Sequence, residues 1–251
     1  MKRQQWILSV TALGGIFFGV LSGAFFLLVH DLPQINTLKQ YKPAAVTEVL
    51  SSGNQVIARI FNEKRYSVSI SDIPPELIKA LVTVEDRNFF SHSGVNLKAI
   101  IRAAVHDIKA RKFKQGASTL TQQLAKTLFL SSEKSFVRKI KEALLSIQIE
   151  RRYTKNEILE LYLNQIYLGS GNYGVEAACL SYFGRSVSEI NLAQSALLAG
   201  LPKAPSVYSP LKNPELAGKR RRVVLTQMLS TGQISQDEFD RADQEAVASP
   251  P

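Results

Sequence analysis

The sequence predicts a mainly α protein with a small β-hairpin near its N-terminus and one N-terminal transmembrane helix. Three observations carry that class. Residues 1–6 begin with a basic Met1-Lys-Arg-Gln-Gln5 stretch, and residues 7–29 then run without a single charge. About 20 apolar residues are enough to cross a bilayer as a helix. Residues 46–50 and 55–60 are β-prone runs flanking Ser51-Ser-Gly-Asn54, the pattern of a hairpin. Beyond them, helix-start signals recur to the end of the chain.

Taken in order, 1–6 reads as a cytoplasmic tail and 7–29 as an uncleaved anchor, because signal-peptide apolar cores are shorter and no A-x-A site follows. Lys2 and Arg3 hold the N-terminus in the cytoplasm and place the rest outside it. Gly15, Gly19 and Gly23 recur every fourth residue, which either lets another helix approach or is merely tolerated. Residues 30–45, with Pro33 and Pro43 as breakers, form a linker. A single folded domain spans 46–240, and 241–251 is a tail. Pro75 stands at a first helical position. Ser132 is placed to cap a long helix ending near Arg152, and Ser188 to cap 189–199. Thr154 with Glu157, and Ser235 with Glu238, have capping-box spacing. Asn213-Pro214 is a cap followed by proline in the first turn. There is no internal repeat.

The chain has 251 residues, a net charge of +10 and a single cysteine. That length allows one sizeable domain plus an anchor, or two small lobes sharing a cleft. The charge suits an anionic partner: nucleic acid, an acidic membrane or a phosphorylated substrate. One cysteine makes neither an internal disulfide nor a zinc cluster, so Cys179 reads as a small buried hydrophobe on a helix.

Three segments place polar residues where a plain helical core has no need of them. In Glu85-Asp86-Arg-Asn-Phe89-Phe90-Ser-His92-Ser-Gly94, an apolar helix ends in two carboxylates, against the dipole. A carboxylate wedged beside Val84, Phe89 and Phe90 is partly desolvated, which makes it a better general base. The same residues also fit a solvated helix end with a structural histidine. In Gln115-Gly-Ala-Ser118-Thr119-Leu-Thr121-Gln122-Gln123-Leu-Ala-Lys126, a helix N-terminus rich in hydroxyls offers an anion site, unless Ser118 is only an N-cap. In Lys134-Ser-Phe-Val-Arg138-Lys139-Ile-Lys141-Glu142, two cations share a helical face with an acid, in the order that supports a helix least.

From Lys109 to Lys155 there are twelve Lys or Arg residues against Glu133, Glu142 and Glu150, with Glu157 just beyond. That excess aims a field at an anion, or rests on lipid head groups. Glycosidases pair two carboxyl groups, one of which protonates a poor leaving group. A pyrophosphate leaving group needs positive charge instead. One poised carboxylate opposite a bank of cations therefore leans toward transfer from a sugar pyrophosphate.

These residues resemble the peptidoglycan glycosyltransferases of glycosyltransferase family 51, which occur alone or as the N-terminal module of class A penicillin-binding proteins. The resemblance runs from about Ile73 to Leu229. Glu85-Asp-x-x-Phe89-x-x-His92-x-Gly94 is similar to the first family motif and Gly116-x-Ser118-Thr119-x-Thr121-Gln122-Gln123 to the second. Arg138-Lys139-x-x-Glu142 is similar to the third, Lys155-x-x-Ile158-Leu159-x-x-Tyr162-Leu163-Asn164 to the fourth and Arg221-x-x-Val224-Leu225 to the fifth.

The resemblance implies a lysozyme-like fold with a head lobe and a membrane-facing jaw lobe. It implies that Glu85 deprotonates the 4-hydroxyl of lipid II, which attacks the anomeric carbon of the nascent glycan strand with inversion to a β-1,4 bond, and undecaprenyl pyrophosphate leaves. Lys126, Arg138 and Lys139 then face the diphosphate, and Ser118, Thr119 and Gln123 place substrate. Glu142 is the second catalytic glutamate, organising the cations or a divalent metal such as Mg or Mn. Asp86 and His92 join the substrate site mainly by supporting Glu85, while Tyr162 and Asn164 serve packing. Lys134 stands where many members have arginine, keeping the charge but losing the bidentate fork. Implied partners are the cytoplasmic membrane and other cell-wall synthesis, division or elongation proteins. The implied location is the bacterial cytoplasmic membrane, with the catalytic domain on its extracytoplasmic side.

Two other classes remain to be separated. A lytic hydrolase would act on finished glycan rather than lipid II and has no use for the cations. A basic scaffold or nucleic-acid binder would need access to nucleic acid, which the topology denies, and no helix-turn-helix or RNA motif is present. No Ser-x-x-Lys with a Lys-Thr-Gly partner occurs, so this chain carries no transpeptidase module. At its stated length it reads as monofunctional.

Overall fold

The computed structural model describes residues 47–53, 56–60, 64–110, 118–130, 133 and 135–247, with 6, 11, 14–19, 22–23, 26, 30–33 and 35 of the N-terminal stretch. For 47–50, 56–60, 64 and 104–110 it describes backbone alone. Among the described residues, no helix is long and apolar enough to cross a membrane. The expected anchor at 7–29 lies largely outside them, as do Ser132, Lys134 and residues 115–117.

Strand β1 (Thr47–Leu50) pairs antiparallel with β2 (Val56–Ile60), with a bulge at Val49/Leu50. Most of the rest is helical: α1 (Pro75–Glu85), α2 (Leu97–Ala110), α3 (Leu120–Phe129), α4 (Phe136–Arg152), α5 (Lys155–Gln165), α6 (Val175–Phe183), α7 (Leu192–Gly200), α8 (Pro214–Ser230) and α9 (Gln236–Gln244). A second β element went unread in the sequence. Strand β3 (Lys64–Arg65) pairs parallel with β4 (Asn172–Tyr173). Two-residue strands have no periodicity to detect.

Local chemistry explains where the helices begin. Thr154 and Ser235 make reciprocal capping boxes with Glu157 and Glu238, as their spacing predicts. Two caps differ from expectation. Ser135 caps α4 by accepting from the Arg138 N–H. Asn191, not Ser188, caps α7 in a box with Gln194. Ser188 lies in a 3-10 turn (Val187–Glu189), because Ile190 leaves the helical path in an extended conformation.

Helix α1 packs on α7 and α8, α3 packs on α4 and α5, and α9 closes against α8. One core joins them, including Leu77, Leu81, Phe89, Leu124, Leu145, Ile149, Leu163, Leu198 and Leu225. Burying each such side chain contributes about 1.5–3 kcal/mol. Cys179 is fully buried on α6, and burial pushes its thiol far above the ordinary range.

Two features lie across the expected boundaries at 45 and 240. Ile35, inside the expected 30–45 linker, is part of the core. Beside it Asp31 meets Lys141 of α4 at 2.5 Å, and that ammonium holds the Asp31 carboxyl below the usual carboxylate range. At the other end α9 runs past residue 240 and buries Ala242. Arg221 donates to the carbonyls of Asp243 and Glu245 at 2.9 and 2.7 Å. These carbonyls accept from an arginine that is only 4% exposed.

Candidate active site

Glu85 is the last residue of α1 and is half-buried. Its Oε2 accepts from Gln123 Nε2 at 3.0 Å, and Gln123 Oε1 accepts from the Tyr162 hydroxyl at 3.0 Å. Residues from α1, α3 and α5 thus meet in one chain of bonds. Tyr162 is buried, and burial, followed by the Glu85 charge, raises its phenol well above the ordinary value. From α8 comes Arg220, whose guanidinium is lowered by burial and raised by the Glu85 charge. Its Nε donates to the Gly200 carbonyl at 3.0 Å.

Asp86 faces differently. Its Oδ2 accepts from His92 Nε2 at 2.9 Å and from the Leu120 N–H at 3.1 Å. His92 Nδ1 in turn accepts from the Gly94 N–H at 3.1 Å, so the ring's proton sits on Nε2. Asp86 therefore occupies the N-terminus of α3, where N–H groups and the helix dipole favour a carboxylate. The sequence suggested that this N-terminus is an open anion site. Instead, Asp86 takes the Leu120 N–H and Thr119 the Gln122 N–H. The capping role considered for Ser118 belongs to Thr119, which forms a capping box with Gln122.

The turn after Glu85 is pinned onto α4. Gly94 has φ +94°, and a Cβ there would sit 2.6 Å from the Ser146 carbonyl oxygen. Only glycine fits that position without strain. The Thr119 hydroxyl donates to the Gly94 carbonyl at 2.6 Å. Below it, Lys155 donates to the His92 carbonyl and to Glu150 Oε1, each at 2.7 Å, and lies 4.3 Å over the Phe89 ring. Glu150 also accepts from Thr121 at 2.6 Å.

On α4, Glu142 is 3% exposed. Its Oε1 accepts from Arg138, and its Oε2 accepts from Lys139 at 2.7 Å. Lys139 Nζ also donates to Ser118 Oγ at 2.7 Å, tying this acid–base cluster to α3. Both Glu142 oxygens are held by cations, and no three His, Cys, Asp or Glu side chains converge among the described residues. Mg and Mn require several oxygen donors. With both oxygens so held, the residues at Glu142 do not fit such an ion.

A cavity of about 220 Å3 brings together Glu85, Asp86, Ser118 and Thr119, and is also lined by Arg87, Asn88, Asn96, Arg102 and Gln227. Lys139 adjoins it through Ser118 and carries Arg138 and Glu142 with it. Lys126, exposed at the last turn of α3, is not among the residues lining that cavity. Lys134 lies outside the described residues. Asn164 packs as expected, donating to the Val68 carbonyl at 2.8 Å and accepting from the Val68 N–H at 2.9 Å. Sequence reasoning missed Arg102, Arg220 and Gln227, which reach the site from helices distant in sequence. It also left Tyr162 in a packing role. Arg87 carried a weak signal, because it follows the two carboxylates. It folds back to the Thr83 carbonyl at 3.1 Å and to Gln227 at 3.4 Å.

Several known proteins are similar to this chain in sequence. Penicillin-binding protein 1A of Aquifex aeolicus is 47% identical over 231 residues, covering 91% of this chain and 32% of that protein. The protein of the same name from Escherichia coli is 44% identical, covering 91% of this chain and 27% of its own length. The chain thus spans about a third of the length of the curated relatives it matches. A solved structure of penicillin-binding protein 1A from Haemophilus influenzae is 27% identical with a TM-score of 0.49, covering 84% of this chain and 22% of that one. The sequence profile described as Transglycosylase matches residues 53–229, starting some distance before Ile73 and taking in all five motifs. That span is well over half of the chain, and the chain belongs to the transglycosylase family.

Proposed function

We propose that this chain is a peptidoglycan glycosyltransferase that joins lipid II units into β-1,4-linked glycan and releases undecaprenyl pyrophosphate. One observation carries the reading: the carboxylates lining the Glu85 cavity are Glu85 and Asp86, and Asp86 is committed to His92 and the Leu120 N–H. Glu142 is likewise held between Arg138 and Lys139. Among the described residues lining the cavity, that leaves one general base and no second acid to protonate a glycan leaving group, which disfavours the lytic hydrolase.

In this mechanism Gln123 holds Glu85 Oε2, and Oε1 takes the acceptor hydroxyl. The hydroxyl proton passes to Glu85 as the oxygen bonds to the anomeric carbon. The bond from that carbon to the pyrophosphate oxygen breaks, its electron pair leaving with the diphosphate. Lys139 and Arg138 supply positive charge for it, and Glu142 fixes their positions. The charge-free run at 7–29 behind Lys2 and Arg3 supports a single-pass anchor in the cytoplasmic membrane, with the domain on its extracytoplasmic face. That is where a lipid-linked substrate is reachable and where other cell-wall proteins would meet it.

The test is polymerisation of purified lipid II by the wild-type chain and by Glu85→Gln. The wild type yields long strands, and the variant loses at least about a hundredfold in rate, the scale of a lost general base. A wild type that leaves lipid II untouched but cleaves finished glycan would overturn the reading in favour of the hydrolase.

A further inference from the structure

We infer that Tyr162 is a positioning residue for the general base, acting through Gln123 to hold the Glu85 carboxylate for proton abstraction. This rests on the glycosyltransferase reading of Glu85. The Gln123 amide bridges the two groups: Nε2 donates to Glu85 Oε2 and Oε1 accepts from the Tyr162 hydroxyl, each at 3.0 Å. An amide has one donor end and one acceptor end, so each partner fixes the orientation seen by the other. Tyr162 is 2% exposed on α5 and Gln123 sits on α3, so the bridge ties the base to two helices besides its own. A phenol needed only for packing gains nothing from a hydroxyl in that place, since a buried hydroxyl costs free energy unless it is bonded. The raised phenol keeps its proton at neutral pH and remains a donor.

The groups facing Glu85 are few. Asp86 follows it on the chain, Arg87 and Arg102 share its cavity, and Arg220 on α8 and Tyr162 on α5 sense its charge. Of these, Tyr162 is the one joined to the carboxylate by hydrogen bonds among the described residues. Tyr162→Phe removes the hydroxyl and keeps the ring. The Gln123 carbonyl oxygen then loses its partner, the amide turns, and the donor to Glu85 weakens. A hydrogen bond donated to a carboxylate favours its charged form. Losing that bond favours the protonated form, so the acid limb of the rate profile moves to higher pH.

The experiment measures lipid II polymerisation against pH for the wild type, Tyr162→Phe, Gln123→Ala and the double variant. We expect Tyr162→Phe to lower kcat roughly tenfold with KM nearly unchanged, and to move the acid limb upward. In the Gln123→Ala background the Tyr162 change should add nothing, because its route is gone. An unchanged kcat and acid limb in Tyr162→Phe, or a full further loss in the double variant, would overturn the inference. A second readout does not depend on turnover: the side-chain NH2 signal of Gln123 in the 15N-glutamine-labelled full chain. It should shift in both Glu85→Gln and Tyr162→Phe. If lipid II is not polymerised but this signal responds to both changes, the substrate reading fails and the bridge stands. If the signal ignores Tyr162→Phe, the bridge itself fails.

Discussion

Two glutamates of this molecule stand in opposite circumstances. Glu85 ends a helix, is half-buried, and has one neutral amide on one of its two oxygens. Glu142 sits within a helix, is almost wholly buried, and has a cation on each oxygen. Arg138 and Lys139 occupy both oxygens of Glu142 with charge-assisted hydrogen bonds. Gln123 holds one oxygen of Glu85 with a neutral donor. On the proposed mechanism, the difference separates the group that does chemistry from the one that arranges charge.

The widest way to test that separation is to remove Glu142. Glu142→Ala leaves two cations in place without their acid, one of them 17% exposed. Stability should fall by about 2–3 kcal/mol, below the range for breaking a fully buried pair because Lys139 reaches solvent. Activity should fall as well, as Lys139 and Arg138 lose the acid that fixes them and Lys139 swings away from Ser118. Glu85→Gln, by contrast, should abolish activity at nearly unchanged stability. Chemical denaturation beside a polymerisation assay checks both. If Glu142→Ala kept full stability, the clamp would not be structural and the two glutamates would be closer in role than their surroundings suggest.

A smaller effect probes the joint between the two regions. Gly94 lets the turn after Glu85 lie on α4, the helix that carries Glu142. Gly94→Ala puts a Cβ at 2.6 Å from the Ser146 carbonyl oxygen with φ at +94°. We expect a loss of about 2 kcal/mol, the scale for strain at such a backbone position. Activity per folded molecule should also drop, because Asp86 and Glu85 move with the turn. A thermal melt and the same assay decide. Unchanged activity in the folded fraction would mean that the Glu85 region does not depend on its seat on α4.

Much of this was legible in the sequence, and the reasons differ by residue. Glu85, Lys139 and Glu142 stood out because adjacent carboxylates at a helix end and cations preceding an acid are poor choices for helix stability alone, and Ser118 because it opens a hydroxyl-rich helix start. Helix starts at Thr154 and Ser235 were readable because a capping box is local, closed within four residues. What the sequence hid is non-local. The Lys139 bond to the Ser118 hydroxyl joins residues 21 apart in the chain. The α3 N-terminus looks open in sequence because its occupant, Asp86, lies 34 residues away. Tyr162 looked like packing because an aromatic at helical spacing carries no sign of where its hydroxyl goes. Arg220 could not be paired with Glu85 from sequence at all, since their proximity is created by α1 resting on α8.

The finest test concerns one cation of the clamp. Lys139 has a side chain 46% exposed, so its pair with Glu142 is largely screened by water. Lys139→Ala should therefore cost no more than about 0.5–1 kcal/mol in stability, and Arg138 remains to hold Glu142. Turnover should fall far more than stability, roughly ten- to a hundredfold, because the ammonium also reaches Ser118 at the edge of the Glu85 cavity. Lys139→Arg should restore part of it. Measuring kcat beside the denaturation midpoint separates the effects. If turnover in Lys139→Ala matches the wild type, Lys139 serves only to neutralise Glu142, and the charge that receives the diphosphate must come from Arg138 or from Arg102 across the cavity.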